Sequence, residues 1–202
     1  MDEDVASKLL ARADQRRLVA EVVLERLQLI DRLEALGQPN LVGSMAYDVL
    51  VRPDIDIEVT CKVPDIVAGF AIMAEVAQIA GVRRIRFANE LDGPDQGLYW
   101  HIRYRENETA RVEEWTIDIW LLPYDHPGPR SLDLVEPMRA RMTEEVRLAI
   151  LRLKEHFRDQ DGVHGIDIYR AVIDGNVRSV EAFERWEELN HRFELTDWRP
   201  RR

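Results

Sequence analysis

Cysteine is almost missing from this chain: Cys61 is the single one in 202 residues. No disulfide can form within the chain, and a reducing cytoplasm is the expected compartment. Long apolar runs are missing as well. No stretch approaches the roughly 20 residues a membrane-spanning helix needs, so no membrane is expected as a partner. The start, Met1-Asp2-Glu3-Asp4, is acidic and leads into no apolar stretch, unlike a secretory signal. A zinc site is not expected either, because His101, His126, His156, His164 and His191 show no ligand spacing beside one another or beside Cys61. Cys61 reads as a buried structural thiol. Lysine is scarce, with Lys8, Lys62 and Lys154 its only instances, and arginine carries the rest of the positive charge. That bias reads as codon usage in a GC-rich genome.

An excess of positive charge is also lacking. The formal net charge is -10. Proteins that grip a nucleic-acid backbone usually present a basic face, because they neutralise phosphates. The balance makes nucleic acid an unlikely partner and weakly favours a small-molecule substrate. What is present suits a folded domain. Hydrophobic residues make up 46 % of the chain, enough for a sizeable core in one domain or a domain with an appendage.

Residues 4–36 carry apolar positions at helical spacing and predict one long helix or two joined ones, stopped by Gly37 and Pro39. A short extended piece over 40–43 follows. Ser44 is placed to cap a short helix running to about Leu50. Residues 55–61 alternate apolar and polar, which predicts a strand. A helix is expected from Pro64-Asp65 to about Ala80, with Ile66, Phe70, Met73, Ala77 and Ala80 on one face. Three strands are expected over 83–88, 98–105 and 112–122. Trp100, Trp115, Trp120 and Tyr99 are expected to pack the sheet. The proline-rich segment 123–133 is the best boundary, and beyond it the pattern is helical only: 134–157, 166–173 and 179–189, with an irregular tail after His191. This predicts an α+β class, a mixed sheet packed with helices, arranged as an N-terminal helical segment (1–37), a core (38–122) and a C-terminal helical region (134–190).

Three features carry chemical interest. Val42-Gly43-Ser44 lies where a strand turns into a helix. Glycine allows close approach of a phosphate, and a serine hydroxyl adds a donor. The same residues also make an ordinary capped turn. In Asp54-Ile55-Asp56-Ile57, strand geometry turns both carboxylates to one side, roughly 6–7 Å apart along the chain. Carboxylates held so close suit a cation, and magnesium takes oxygen ligands. A half-exposed strand with solvated acids would read the same. Glu58 lies on that side too, either supporting the acids or simply exposed. In Trp115-Thr116-Ile117-Asp118-Ile119-Trp120-Leu121, an acid sits in an apolar strand, where it needs a metal or a partner such as arginine.

Gly43-Ser44, nine residues, Asp-Ile-Asp-Ile and a later lone Asp in an apolar strand together resemble the nucleotidyltransferase superfamily, which includes polymerase beta and the antibiotic nucleotidyltransferases. Val42, Gly43, Ser44, Asp54, Ile55, Asp56, Ile57 and Asp118 match the family pattern, and the match covers about 38–122. Asp48 and Pro53 depart from small members of the family, which touches the triphosphate grip and not the acids. The resemblance implies a nucleotidyltransferase fold and two Mg²⁺ ions held by Asp54, Asp56 and Asp118. Gly43 and Ser44 would hold the triphosphate of ATP or another NTP. Asp118 would lie on the nucleophile side and accept the hydroxyl proton. The reaction would move a nucleoside monophosphate to a hydroxyl-bearing acceptor and release pyrophosphate.

Three functions follow from that likeness. One is transfer, of AMP, to a small molecule of the aminoglycoside or lincosamide type. The second is transfer to a side chain of a partner protein, as in toxin–antitoxin nucleotidyltransferases. The third is a binding module without turnover, against which the three intact acids argue. Lys154 is read as an exposed helical lysine, with a triphosphate contact as the alternative. Asp125-His126 could touch an acceptor. The helices around Gly175-Asn176 are too acidic in the second member to read DNA.

Overall fold

The computed structural model describes residues 3–106, 113–160, 162–190 and 198–200. The expected turn over 106–108 and the tail after His191 fall largely outside them. Helix α1 (Glu3–Leu27) is separated from α2 (Leu29–Leu33) by Gln28, which takes a left-handed conformation with φ 48°. The amphipathic stretch is thus two helices. Leu27, Leu29 and Leu33, which flank the break, are all fully buried.

The chain then enters the edge strand β1 (Gln38–Val42), two residues earlier than its sequence suggests. Pro39 is tolerated there because β1 pairs on one side only. The helix expected to begin on Ser44 is instead a single turn, α3 (Gly43–Ala46), and Gly43 begins it with φ 62°. Asp48, at φ 58°, turns the chain before Leu50 is reached. Strand β2 (Asp54–Cys61) follows.

Helix α4 (Ile66–Val76) starts on Asp65, whose carboxylate accepts the Ala68 amide at 3.0 Å. Its buried face is Gly69, Met73 and Val76; of the expected stripe Met73 is buried, whereas Phe70, Ala77 and Ala80 are exposed. The reason is steric. Gly69 lies on the Trp100 ring so closely that a Cβ there would fall 2.5 Å from it, so the backbone, not a large side chain, seats this helix on the sheet.

Strands β3 (Val82–Asn89), β4 (Leu98–Tyr104) and β5 (Trp115–Pro123) complete a five-stranded sheet of order β1-β2-β5-β4-β3. The central β2 and β5 are parallel, and the other neighbours are antiparallel. One sheet face is apolar: Ile55, Ile57, Trp100, Ile102, Ile117 and Ile119 have no more than 1 % of their surface exposed. Alternation puts the polar residues of the same strands on the other face.

After the sheet come helices only. The segment expected as one helix over 134–157 is two, α5 (Leu132–Arg141) and α6 (Glu144–His156). Thr143 is in an extended conformation between them, and its hydroxyl accepts the Val146 amide at 3.3 Å. A threonine that satisfies an orphan N–H starts a new helix even where the apolar pattern runs on. Helices α7 (Gly165–Ile173) and α8 (Val180–Asn190) follow, the second entered through Ser179, which accepts the Ala182 amide. Together these elements give the expected α+β class.

The chain divides into two compact units. One is Leu18–Met45 with Pro53–Pro127 and contains the sheet and α4. The other is Met1–Arg17, Ala46–Arg52 and Gly128–Arg202. Its core includes Ile150, Leu153, Val172 and Phe183. Among the described residues, no helix is long and apolar enough to cross a membrane.

Candidate active site

The polar face of the sheet is organised in rows, because paired residues on neighbouring strands point the same way. In the central row Asp56 pairs with Asp118, Asp118 with His101, and His101 with Arg86. In the row beside it Asp54 pairs with Thr116, Thr116 with Arg103, and Arg103 with Arg84. In the third, Glu58 pairs with Trp120 and Trp120 with Tyr99. The side-chain period of two makes Asp54-x-Asp56 and Thr116-x-Asp118 face one way while the isoleucines between them enter the core.

Each acid is held differently. Asp54 Oδ1 accepts a hydrogen bond from the Thr116 hydroxyl at 2.5 Å. Asp118 Oδ1 accepts one from the Tyr99 hydroxyl at 2.5 Å and lies 2.7 Å from His101 Nδ1. Protonated at Nδ1, His101 is a second donor to the same oxygen. The Asp118 partners are thus a tyrosine and a histidine, not an arginine. The Asp118 and His101 side chains stay 26 % and 21 % exposed, so the pair is open to solvent and ligand. Asp56 touches the turn after β1. Gly43 stands so close that a Cβ there would lie 2.2 Å from Asp56 Oδ2. Its left-handed φ and this close approach both require glycine. Glu58, one step further along β2, is 2 % exposed, so it is a buried acid and not a solvated one.

Tyr99 reports on the local field. Burial raises its phenol well above the ordinary tyrosine value, its hydrogen bond to Asp118 raises it further, and the charges of Asp118, Asp54 and Asp56 add to the effect. One phenol therefore feels all three carboxylates. The Tyr99 ring packs tilted against Trp120, 4.8 Å between centroids, on this polar side, whereas Trp100 and Trp115 are buried in the sheet.

Gly43, Asp56, Asp118 and Asp54 are thus brought onto one surface, with Ser44 next in the chain to Gly43. Among the described residues, no three His, Cys, Asp or Glu side chains are gathered closely enough to ligate one ion. The acids form an open row and not a closed cage. On donor chemistry they suit magnesium. That ion prefers oxygen, keeps several waters and commonly takes one or two carboxylates with substrate phosphates. Thr116, Tyr99 and His101 were not read from the sequence as site residues. The alternation in 98–104 shows that Tyr99, His101 and Arg103 share a face, but not which strand they pair with.

Other expected residues have local partners of their own. His126 Nε2 bonds the Asp95 carbonyl at 2.8 Å, in the loop between β3 and β4. Lys154 is part-buried and not an exposed lysine. Its Nζ donates to the Tyr169 hydroxyl at 3.2 Å and lies over that ring. Cys61 is buried, and burial pushes its thiol up, away from the reactive thiolate.

No family model matches this chain, and no curated protein does. Solved structures do. The chain is similar to Cid1 in a structure described for its RNA terminal uridylyl transferase activity, with a TM-score of 0.50 and 10% identity over 86% of this chain and 47% of that one. A second structure, of the Cid1 poly (U) polymerase with magnesium and 3'-dATP bound, aligns at a TM-score of 0.48 and 13% identity over 78% of this chain and 48% of that one. Small alarmone synthetase 2 from Bacillus subtilis aligns at 0.36 and 13% identity over 87% and 96%. The chain spans about half the length of the Cid1 chains it matches. At a TM-score of 0.50, the fold of this chain, a mixed sheet with a central parallel pair, is similar to that of the Cid1 structure.

Proposed function

We propose that this chain is a cytoplasmic, metal-dependent nucleotidyltransferase that moves a nucleoside monophosphate, AMP from ATP, to a hydroxyl of a small acceptor and releases pyrophosphate. The observation that carries this reading is the side-by-side placement of Asp56 and Asp118 on adjacent parallel strands of such a fold, with Asp54 two residues before Asp56. Asp54, Asp56 and Asp118 would hold two magnesium ions. When bound, magnesium lowers the pKa of an attacking hydroxyl and neutralises the departing pyrophosphate.

The chain's own residues supply the rest. Gly43 gives the Asp56 carboxylate its space, and with Ser44 it offers the triphosphate a close backbone approach. Thr116 fixes one oxygen of Asp54. Tyr99 and His101 both engage Oδ1 of Asp118 and so fix the orientation of its carboxylate. The acceptor oxygen forms its bond to the α-phosphorus, and the bond from that phosphorus to the bridging oxygen breaks. The electron pair leaves with pyrophosphate, and the hydroxyl proton passes to Asp118.

The test is incubation with each labelled NTP, Mg²⁺ and a panel of acceptors, following pyrophosphate. The panel must include RNA, since the acidic composition speaks against it and the fold likeness does not. Asp56→Asn is expected to lower release by about 100-fold or more, the scale on which removal of one charge-stabilising group acts. Undiminished release in that variant refutes the role given to Asp56.

A further inference from the structure

In a chain of net charge -10, strand β3 reads Val-Arg-Arg-Ile-Arg-Phe-Ala-Asn, with three arginines and no acid. Edge strands often carry charge, which discourages pairing with another chain. Acids would serve that purpose equally, so the sign needs a separate cause. Arg83 falls at the register shift near the start of the strand. Arg84 and Arg86 follow it, pair with Arg103 and His101, and therefore share the face of Asp54, Asp56 and Asp118. Both are exposed. Arg103 is neutralised by Glu114. Among the described residues, the side chains of Arg84 and Arg86 make no ion pair or hydrogen bond.

Their side of the sheet matters. Gly43 and Asp56 mark the β1 side of the acids, and Arg86 lies on the opposite side, in the same row as Asp118 and His101. Two strand spacings separate Arg86 from Asp118, about 10 Å between backbones. An extended arginine closes much of that gap. A group bound at β3 can hold its hydroxyl at Asp118 while the triphosphate lies toward Gly43.

We infer that Arg84 and Arg86 form the recognition surface for an acceptor that carries phosphate, a nucleotide unit whose free hydroxyl reaches Asp118. This rests on the reading of the three acids as the transfer site. It replaces a cationic acceptor, which these arginines would repel, with an anionic one. Paired guanidinium groups suit phosphate because each can donate two parallel hydrogen bonds.

Binding is measured by calorimetry in MgCl₂ with α,β-methylene ATP saturating, so that the acids are already occupied. Two acceptor probes are used, a ribonucleoside 5'-diphosphate and a 5'-phosphorylated RNA dinucleotide. At least one is expected to bind, and which one binds identifies the source of the phosphate. Arg84→Ala/Arg86→Ala is expected to weaken that probe ten-fold or more. For the dinucleotide it should also flatten the salt dependence, by roughly 0.7 in slope for each phosphate that is no longer neutralised. Arg84→Lys/Arg86→Lys is expected to recover part of the affinity. Failure of both probes to bind the wild-type chain, or equal affinity in the alanine variant, overturns the inference. Affinity for α,β-methylene ATP alone should be unchanged by the arginine variants and reduced by Asp56→Asn. If Asp56→Asn leaves it intact, the reading of the acids fails, whatever the arginines do.

Discussion

At Asp118 a carboxylate sits in an otherwise apolar strand without an arginine. Two groups on the next strand, Tyr99 and His101, meet one of its oxygens. Such an arrangement orients the group without the permanent positive charge that an arginine would bring. The cost falls on Tyr99, whose phenol is surrounded by acids. Its pKa in the folded chain is raised above the unfolded value of about 10. Between those two values the unfolded chain has lost the proton and the folded chain keeps it. The contribution to stability is therefore complete below about pH 10 and is lost as pH rises through the folded value. In metal-free protein, the tyrosinate absorbance of wild type minus that of Tyr99→Phe should titrate with a midpoint above the ordinary tyrosine value. A midpoint at or below it would show that Tyr99 does not feel the three acids together.

Helix α4 meets the sheet through a residue with no side chain. Gly69 lies on Trp100, which is fully buried, and Phe70 and Phe87 pack around the same ring, Phe70 at 4.7 Å from Phe87 and Phe87 at 5.2 Å from Trp100. In an isolated helix, glycine to alanine gains about 1 kcal/mol. Here the added methyl would enter a ring that cannot retreat, and overpacking costs roughly 1–3 kcal/mol. Gly69→Ala should therefore lower stability, by about 1 kcal/mol net, as read from the urea midpoint. A higher midpoint would mean that the helix can lift from the sheet at little cost. Because the opposite face of those strands carries Tyr99 and His101, a shift of Trp100 in β4 would also disturb the acids.

Across the whole molecule, charge is distributed against its average. The chain is acidic, yet the polar face of its sheet runs from carboxylates at β2 and β5 to arginines at β3. Cations should bind at one side and anions at the other. A ligand that binds only the folded chain stabilises it by about 2.7 kcal/mol at one hundred times its Kd. For a chain of this size that is worth on the order of 5–10 °C in Tm. MnCl₂ with α,β-methylene ATP should raise the Tm of the wild type by about that much and leave Asp56→Asn near its ligand-free value. An equal rise in both proteins would move the metal–nucleotide site away from Asp56.

By itself the sequence determined the α+β class and the shared face of Asp54 and Asp56. It did so because strand alternation and local spacing are properties of neighbouring residues. Asp54-x-Asp56 must share a face in any strand, and Gly43-Ser44 must turn wherever a left-handed residue begins a helix. Helix ends were less readable. Gln28, Asp48 and Thr143 interrupt or reset helical patterns through single backbone conformations and caps that apolar periodicity does not register. Only the tertiary structure decided which strands lie side by side. The pairing of Asp56 with Asp118, of Asp118 with His101 and of His101 with Arg86 depends on register between segments far apart in the chain. A shift of one residue would turn every one of those side chains to the opposite face.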